Sequence, residues 1–597
     1  MRPAIRLNNW PVGDRPSVGI HSFARRAAGG LSGAVRVAYA RALVAELISA
    51  FWVAQAKTRG SRRKIRRPPD GLAVIPKEAT DAARAFAASL RELPAIEAGH
   101  KIGALYTALL PDDVRGRLGA FYTPPALAER LLQMTDGAGV DWRTVRVLDP
   151  ACGGAAFLAP VAARMRQSLK KNPRVTPVQI VENVGARLRG FEIDPFAAWI
   201  SQVLVDLILL DDAIAADVGL PRVIEVCDSL ARPVSGERFG LVIGNPPYGK
   251  VKLTPTIRDK YTRSLFGHAN LYALFTDLGL RWVAPSGHLA YVTPTSFLGG
   301  QYFKGLRALL SREAPLREID FVTERSGVFE DVLQETCLAL FERGASVGHS
   351  ASVNSLSPNG ADEPVQITKV GKFRLDRAGD PWLLPRTRPI RRALGVGLIL
   401  PARLRDYGVT VTTGPLVWNR HKPQLTAHSG PNRLPLVWAE AVSPDGEFRF
   451  SAVRRNHTPY FRLKADQEHL VVRDEAILVQ RTTSLEQPRR LLSALMPKAF
   501  VSRHGGVVIE NHLNVIRASS RGSHVPLVAI QAVLNSRAAD RVFRCISGSV
   551  AVSAYELGAL PLPSIEDMRR LAALLERGAQ HETIERAISR MYGTPDD

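Results

Sequence analysis

The tetrapeptide Asn245-Pro246-Pro247-Tyr248 combines residue types suited to one kind of chemistry. It follows Leu241-Val242-Ile243-Gly244, an apolar run of strand type. Two consecutive prolines, each lacking an N–H and holding φ at about −65°, neither continue a central strand nor open a helix interior. The chain therefore halts in a stiff, extended turn at the carboxyl end of a strand, where open α/β sheets bind ligands. Displayed there, the Asn245 amide oxygen and the Pro246 carbonyl can both accept hydrogen bonds from a single exocyclic amine. Tyr248 offers a flat ring on which a planar base can stack. Two acceptors converging on an aromatic amine draw its hydrogens out of the ring plane and localise its lone pair. A poor nucleophile then attacks a methyl donor without a general base of high pKa. The same four residues also suit a plain Pro-rich turn after a buried strand, so the remainder of the chain decides between the two.

Upstream, three further strand-like runs end in carboxylates. Val145–Leu148 leads to Asp149 and a small-residue turn with Gly153-Gly154, where backbone can approach a ligand closely. The turn lacks GxGxxG spacing and a P-loop lysine, so neither a dinucleotide nor a triphosphate is its expected guest. The second run, Leu188–Asp194, carries Glu192, placed to bind a ribose diol. Its distance from the glycine turn exceeds the usual ~20 residues, which a longer first helix accounts for. Val223–Asp228 is the third run and Leu241–Ile243 the fourth. Helical stretches alternate with these strands and predict a parallel, doubly wound sheet with its site along one edge.

Farther along, Asn270–Trp282 reads as a helix, His288–Thr293 as a strand, Gln301–Leu310 as a helix, and Ile319–Thr323 and Thr336–Phe341 as strands, with Phe329 in the loop between the last two. Ala345–Glu363, rich in Ser, Gly and Asn, reads as a linker or exposed loop. The remainder mixes short strands with basic and aromatic residues. Before the sheet, residues 1–118 read as mainly helical. Val37–Ala56, interrupted by Arg41 and Glu46, reads as an amphipathic helix, not a membrane span. The basic run Lys57–Arg67 suits a phosphate-contacting loop and a solvated linker equally.

A chain of 597 residues exceeds a single core and implies about two or three domains. Its 79 Lys+Arg against 56 Asp+Glu leave a charge of +23, which favours a polyanionic partner, nucleic acid foremost. The four cysteines form no CxxC pair, which argues against a zinc site or a disulfide framework and fits a reducing cytoplasm. No signal-peptide h-region is present at the N-terminus.

The ordered set GAFYTPP, LDPACGGAAFL, GFEIDP, VCDSL, IGNPPYG, NLYALF, VTPTSFL and GVFEDVLQET resembles the γ-class N6-adenine DNA methyltransferases of type II restriction-modification systems. The resemblance covers about residues 100 to 345. The later stretches LVQRTTS, ENHLNVI, VLNSRAADRVFR and ELGALPLP are similar, less specifically, to that family's target-recognition domain. It implies a Rossmann-like class I sheet dependent on S-adenosylmethionine, a helical, basic N-terminal region (1–118), a catalytic domain (119–345), a linker (346–374) and a mixed α/β DNA-recognition domain (375–597). By the resemblance, Thr123 and the turn at Ala151 and Gly153 hold the methionine moiety of the cofactor, with Asp149 near its amino group. Glu192 takes the ribose hydroxyls and Ile193 packs on the cofactor adenine. Asp228 accepts from that adenine's amine, and Pro247 and Phe275 flank the ring. Asn245 and Pro246 grip the target N6 amine, while Tyr248 and Phe329 stack on or near the flipped base. Ser229 departs from the pattern, which often has a bulky residue against the cofactor adenine.

The resemblance further implies double-stranded DNA as partner, a possible cognate restriction endonuclease, no metal, no membrane, and a cytoplasmic enzyme acting as a monomer on DNA. RNA adenine or a protein glutamine could use the same grip, but those enzymes match over the catalytic core alone. A fused nuclease would carry a PD…(D/E)xK cluster ahead of the core, and residues 1–118 offer none. A DNA-binding scaffold with a decayed pocket conflicts with the intact Asn245, Glu192 and Asp228.

Overall fold

Five short apolar runs build the half of the sheet that carries the site. β1 (Val147–Asp149), β2 (Leu188–Glu192), β3 (Ile224–Val226), β4 (Phe239–Gly244) and β5 (Val283–Pro294) lie parallel in the order β3-β2-β1-β4-β5. Val147 faces Leu188 on one side and Leu241 on the other, so β1 is central and buried throughout. Beyond β5 come β6 (Leu316–Val322), β7 (Thr336–Glu342) and β8 (Ser350–Ser357), with β7 antiparallel between β5 and β6 and β8 parallel to β6. A parallel half with one antiparallel strand inserted beyond β5 is the Rossmann-like arrangement that the resemblance implied. In this computed structural model, residues 24, 27–118, 123–234, 236–322, 335–346, 350–357, 365–375, 379–392, 394, 396–482, 489–546 and 551–594 are described.

The first of two units comprises Met1–Pro294, Ala308–Ile367 and Arg374–Ala378. Its helices are α1 (Gly33–Thr58), α2 (Lys77–Ser89), α3 (Ala95–Leu109), α4 (Pro125–Gly137), α5 (Leu158–Lys170), α6 (Pro177–Arg187), α7 (Pro195–Ala216) and α8 (Leu271–Trp282). The period-2 alternation of β5 sorts them onto two faces. Ala290 and Val292 join the core of α1–α7, whereas Leu289 and Tyr291 press on Gly279 of α8, where a Cβ would lie 2.6 Å from Leu289 Cδ1.

Four expectations change. The interval from the glycine turn to β2 holds two helices, α5 and α6, not one long helix. Thr176 and Gln179 close a capping box where α6 starts. Helix α1 is long and apolar enough to cross a membrane by length and composition, yet it is not amphipathic: Tyr39, Leu43, Val44, Leu47, Ile48 and Phe51 are buried on several sides among α2, α3 and α7. The two charges that interrupt its apolar run are paired within the unit, Arg41 with Asp194 at 2.8 Å and Glu46 with Arg84 at 2.7 Å. The N-terminal helices therefore share one core with the sheet.

The basic run Lys57–Arg67 is neither a phosphate loop nor a solvated linker over Arg59, Arg63 and Arg66. Arg59 pairs with Asp211 at 2.6 Å. Arg63 donates to the carbonyls of Val218 (2.6 Å) and Ala213 (2.9 Å). Arg66 pairs with buried Asp206 at 2.5 Å and donates to Leu220 O at 2.8 Å. Arg63 and Arg66 thus satisfy carbonyls at and just beyond the C-terminal end of α7.

The expected linker 346–374 also contains secondary structure: β8, and a further strand at Gln366–Arg374. In β8, Ala351, Val353 and Leu356 are buried. Asn354 donates to Glu318 (2.9 Å) and Asp320 (2.7 Å), carboxylates that Arg130 also holds at 2.6 Å each. The Asn354 amide is thus satisfied inside the sheet instead of by water.

The second unit comprises Thr295–Arg307, Thr368–Phe373 and Gly379–Asp597. It is mixed α/β. Val409–Thr413, Leu513–Ala518, Ala476–Gln480 and Ser493–Met496 form one antiparallel sheet, and five shorter strands around Arg433–Val437 form another. Helices Leu527–Leu534, Arg537–Ile546, Ile565–Glu576 and His581–Tyr592 contribute to a shared apolar core with the first of these sheets. Thr295–Arg307 belongs here through Trp382, whose N–H donates to Leu298 O at 2.8 Å, and through buried Arg307, which donates to the carbonyls of Phe297, Gly300 and Asp380.

Candidate active site

The carboxyl ends of β1, β2 and β4 and the turn after β3 open onto one cavity of about 370 Å³. Asp149, Glu192, Asp228 and Asn245 reach it from those four places, with Thr123 ahead of α4. Three carboxylates in one apolar-walled cleft, with no lysine or arginine paired to them among the described residues, are arranged for a ligand bearing amines and hydroxyls.

Each carboxylate is held by backbone donors that leave part of its acceptor capacity open. Asp149 Oδ1 accepts from Ala151 N–H at 3.0 Å. Burial pushes its carboxyl up to about 8 against that bond, and the nearby Glu192 adds to the rise. Gly244 of β4 is required beside it, since a Cβ there would lie 2.7 Å from Asp149 Oδ1. Glu192 accepts through Oε2 from Gly153 N–H (2.8 Å) and through Oε1 from Asp194 N–H (2.9 Å), so each oxygen keeps a lone pair. Burial raises its carboxyl as well, opposed by these donors. Asp228 Oδ1 caps the next turn through Leu230 N–H at 2.9 Å and Ala231 N–H at 3.3 Å. Its Oδ2 takes no bond among the described residues.

The turn after β1 fits closely because its backbone is left-handed at Gly153 (φ 50°) and Ala155 (φ 64°). Cys152 N–H donates to Phe191 O at 3.0 Å, tying the turn to β2. Ser229 is buried, and its hydroxyl donates to Pro150 O at 2.6 Å, joining the turns after β1 and β3. The apolar lining comes instead from Ile193, Leu230, Leu253, Ile257, Pro247 and Phe275. Ile193 is 56% exposed, an aliphatic face open to a flat ring.

Asn245 is fixed at both ends of its amide. Its Nδ2 donates to Thr123 Oγ1 at 3.1 Å, and its Oδ1 accepts from the Tyr248 hydroxyl at 2.7 Å. The Tyr248 hydroxyl also lies 3.3 Å from Val292 O of β5, and its ring meets Tyr272 edge-on with centroids 6.1 Å apart. Asn245 and Pro247 line the cavity; buried Pro246 and half-buried Tyr248 do not. Thr123, Asp149, Ala151, Gly153, Glu192, Ile193, Asp228 and Phe275 are all brought to it. Phe329 lies outside the described residues.

Sequence reasoning missed one wall of the cavity. Helix α3 contributes His100, Tyr106 and Thr107, and its Gly103 lets it run against the glycine turn: a Cβ on Gly154 would lie 3.6 Å from Gly103 Cα. The Tyr106 hydroxyl donates to Asp194 Oδ2 at 2.8 Å, while Arg41 donates to Oδ1 at 2.8 Å. Asp194 also caps α7 through Phe196 N–H at 3.2 Å. The spacing Gly99-x-x-x-Gly103 within a helix was the available signal of a close approach.

Residues 219–329 match the Eco57I restriction-modification methylase family. The type II methyltransferase M.BsuBI of Bacillus subtilis is 24% identical over 467 residues, 75% of this chain and 88% of the relative. M.PstI of Providencia stuartii, also a type II methyltransferase, is 22% identical over 501 residues, 79% of this chain and 92% of that one. Among solved structures, the type IIL restriction-modification enzyme MmeI, in complex with DNA, covers 97% of this chain and 95% of its own at a TM-score of 0.50 and 14% identity, a likeness of fold.

Proposed function

We propose that this chain, which carries an Eco57I restriction-modification methylase domain and has type II methyltransferases as relatives, is a site-specific DNA methyltransferase that modifies N6 of adenine. The observation that carries this reading is the position of Asn245, held by Thr123 and Tyr248 at the edge of the cavity that also contains Asp149, Glu192 and Asp228.

S-adenosylmethionine is the methyl donor, and when bound it supplies a methyl group activated on a sulfonium. The residues lining the cavity fit it: Thr123 and the Ala151–Gly153 turn would hold its methionine end, with Asp149 near its amino group. Glu192 would accept from the ribose hydroxyls with the acceptor capacity its backbone donors leave. Asp228 would accept from the adenine amine, and Ile193, Pro247 and Phe275 would flank that ring.

On the other side of the turn, Asn245 Oδ1 and the Pro246 carbonyl accept from the N6 amine of a target adenine turned out of the duplex. Turning it out costs a few kcal/mol, and stacking on an aromatic ring returns about 1 to 3 kcal/mol per base. Tyr248, with Phe329, supplies that stacking. Asn245 Oδ1 has a second lone pair beyond the one facing Tyr248, so the tyrosine hydroxyl holds the acceptor in place until the amine arrives. Catalysis is then positioning plus two acceptor bonds, with no covalent enzyme–base intermediate. Residues 375–597 recognise the duplex, and the enzyme works as a monomer in the cytoplasm, alongside a cognate endonuclease.

The test is transfer of labelled methyl from S-adenosylmethionine to duplex DNA, with nucleoside analysis of the product and Asn245→Ala as control. N6-methyladenine made by the wild type and lost in the variant supports the reading. Label in RNA or protein glutamine instead of DNA overturns the substrate.

A further inference from the structure

Within the second unit, one exposed turn is built more firmly than its surface position requires. Val453, Arg454, Arg455 and Asn456 all face solvent, and Val453 is 83% exposed. A valine so exposed beside two arginines is held out, not merely left over, because the backbone around it is pinned. Glu440, itself nearly buried, accepts from Val453 N–H at 2.7 Å through Oε1. Its Oε2 lies 3.2 Å from Arg454 Nε and 3.3 Å from His457 Nδ1. His457 N–H donates to Arg454 O at 3.0 Å, closing a tight turn whose third residue, Asn456, has φ 74°. Asparagine tolerates that left-handed backbone better than most residues.

Both ends of the turn are also anchored by rings. The His457 imidazole stacks on buried Trp438 with centroids 3.8 Å apart and planes 8° apart, and Trp438 Nε1 donates to Thr458 O at 2.7 Å. On the other side Phe450 packs against Phe500 at 5.3 Å and Tyr460 at 6.2 Å. Arg454 is partly neutralised by Glu440. Arg455 has no carboxylate, carbonyl or ring partner among the described residues. The tip therefore offers one free, planar guanidinium and one bare aliphatic group on a preorganised support.

Resting on the proposal that duplex DNA is the substrate, we propose that Val453 and Arg455 are specificity-determining residues that read base edges of the target site. A guanidinium free at all five N–H donors pairs bidentately with O6 and N7 of guanine in the major groove, and an aliphatic group packs on a thymine methyl. A flexible phosphate-binding arginine would not need a carboxylate, a stacked histidine and a left-handed turn beneath it. The chain's +23 charge brings the duplex to the surface without selecting sequence.

The experiment maps N6-methyladenine by sequencing in plasmid DNA treated with S-adenosylmethionine and the full chain, as wild type, Arg455→Ala and Val453→Ser. Both positions are exposed, and thermal melting confirms that the variants are folded. The expected result is one methylated motif for the wild type and, for Arg455→Ala, loss of discrimination by roughly 5- to 150-fold at one motif position; Val453→Ser relaxes a neighbouring position by less. An unchanged motif in both variants, with only a uniform fall in rate, makes the turn a phosphate contact and overturns the inference. No methylated adenine with the wild type itself overturns the underlying function, a result separable from the previous one because it does not depend on the variants.

Discussion

The hydroxyl of Tyr248 donates to the amide oxygen of Asn245 at 2.7 Å, three residues away across two prolines. The prolines stiffen the turn through their fixed φ and bring no backbone N–H to compete for the same acceptor. Tyr248 thus holds the Asn245 amide, and in the proposed mechanism its ring also stacks on the target base. Tyr248→Phe keeps the ring and removes the aim. A net hydrogen bond of about 1 kcal/mol predicts a fall in kcat of roughly fivefold, with S-adenosylmethionine affinity unchanged. Tyr248→Ala adds the loss of stacking, about 1 to 3 kcal/mol more. Single-turnover methylation distinguishes the two, and a Tyr248→Phe rate equal to wild type would contradict the positioning role.

In the proposed mechanism Asp149 lies near the amino group of the cofactor, which predicts that cofactor affinity depends on pH. Its carboxyl, ordinarily at 3.8, lies at about 8 in the folded protein, chiefly through burial. A raised acid binds a proton in the native state that the unfolded chain has lost. Its contribution to stability is therefore complete at low pH and declines as pH rises from about 4 to about 8. A cationic amino group beside Asp149 favours the carboxylate instead, so binding below about pH 8 must release that proton. The affinity for S-adenosylmethionine is expected to rise by up to about tenfold per pH unit and to level off above about pH 8. Calorimetric titrations over this range check it, and Asp149→Asn should remove the slope along with much of the affinity.

Gly244 tests the same carboxylate sterically. An alanine methyl there would lie 2.7 Å from Asp149 Oδ1, so the carboxylate must shift and give up its bond from Ala151. Hydrogen bonds to a charged group contribute about 1.5 to 3 kcal/mol. Gly244→Ala is accordingly expected to weaken S-adenosylmethionine binding roughly 10- to 150-fold while the protein stays folded. Binding at wild-type strength would show that Asp149 does not need its present position.

What could be read in the sequence was what lies close along the chain. Asp149, Glu192, Asp228 and Asn245 each end or follow a recognisable strand, and order alone placed them on one edge of a parallel sheet. The wall formed by α3 was not legible, because Tyr106 meets Asp194 across 88 residues and Arg41 meets it across 153. β8 resembled a linker because serines and an asparagine commonly mark turns. Glu318 and buried Asp320, themselves held by Arg130 and far off in sequence, supply Asn354 with partners in a strand. Ser229 looked like a missing cofactor contact, yet its hydroxyl joins two turns that must stay close for the cavity to exist.

Arg66 separates structural from DNA-binding charge. It lies in the most basic run of the chain, and composition alone would assign it to phosphate. Its guanidinium instead faces Asp206, which is 1% exposed, and the carbonyls of Leu220 and Pro221. Removing one partner of such a pair leaves an uncompensated buried charge, a loss of about 3 kcal/mol or more. Arg66→Ala should therefore lower the melting temperature by several degrees. A lysine or arginine that neutralises a phosphate contributes about one unit to the slope of log affinity against log salt. For Arg66→Ala that slope is expected to equal the wild type's. A shallower slope with unchanged melting would return the run to the DNA interface, because the only route by which an arginine lowers the slope without lowering stability is contact with the polyanion itself.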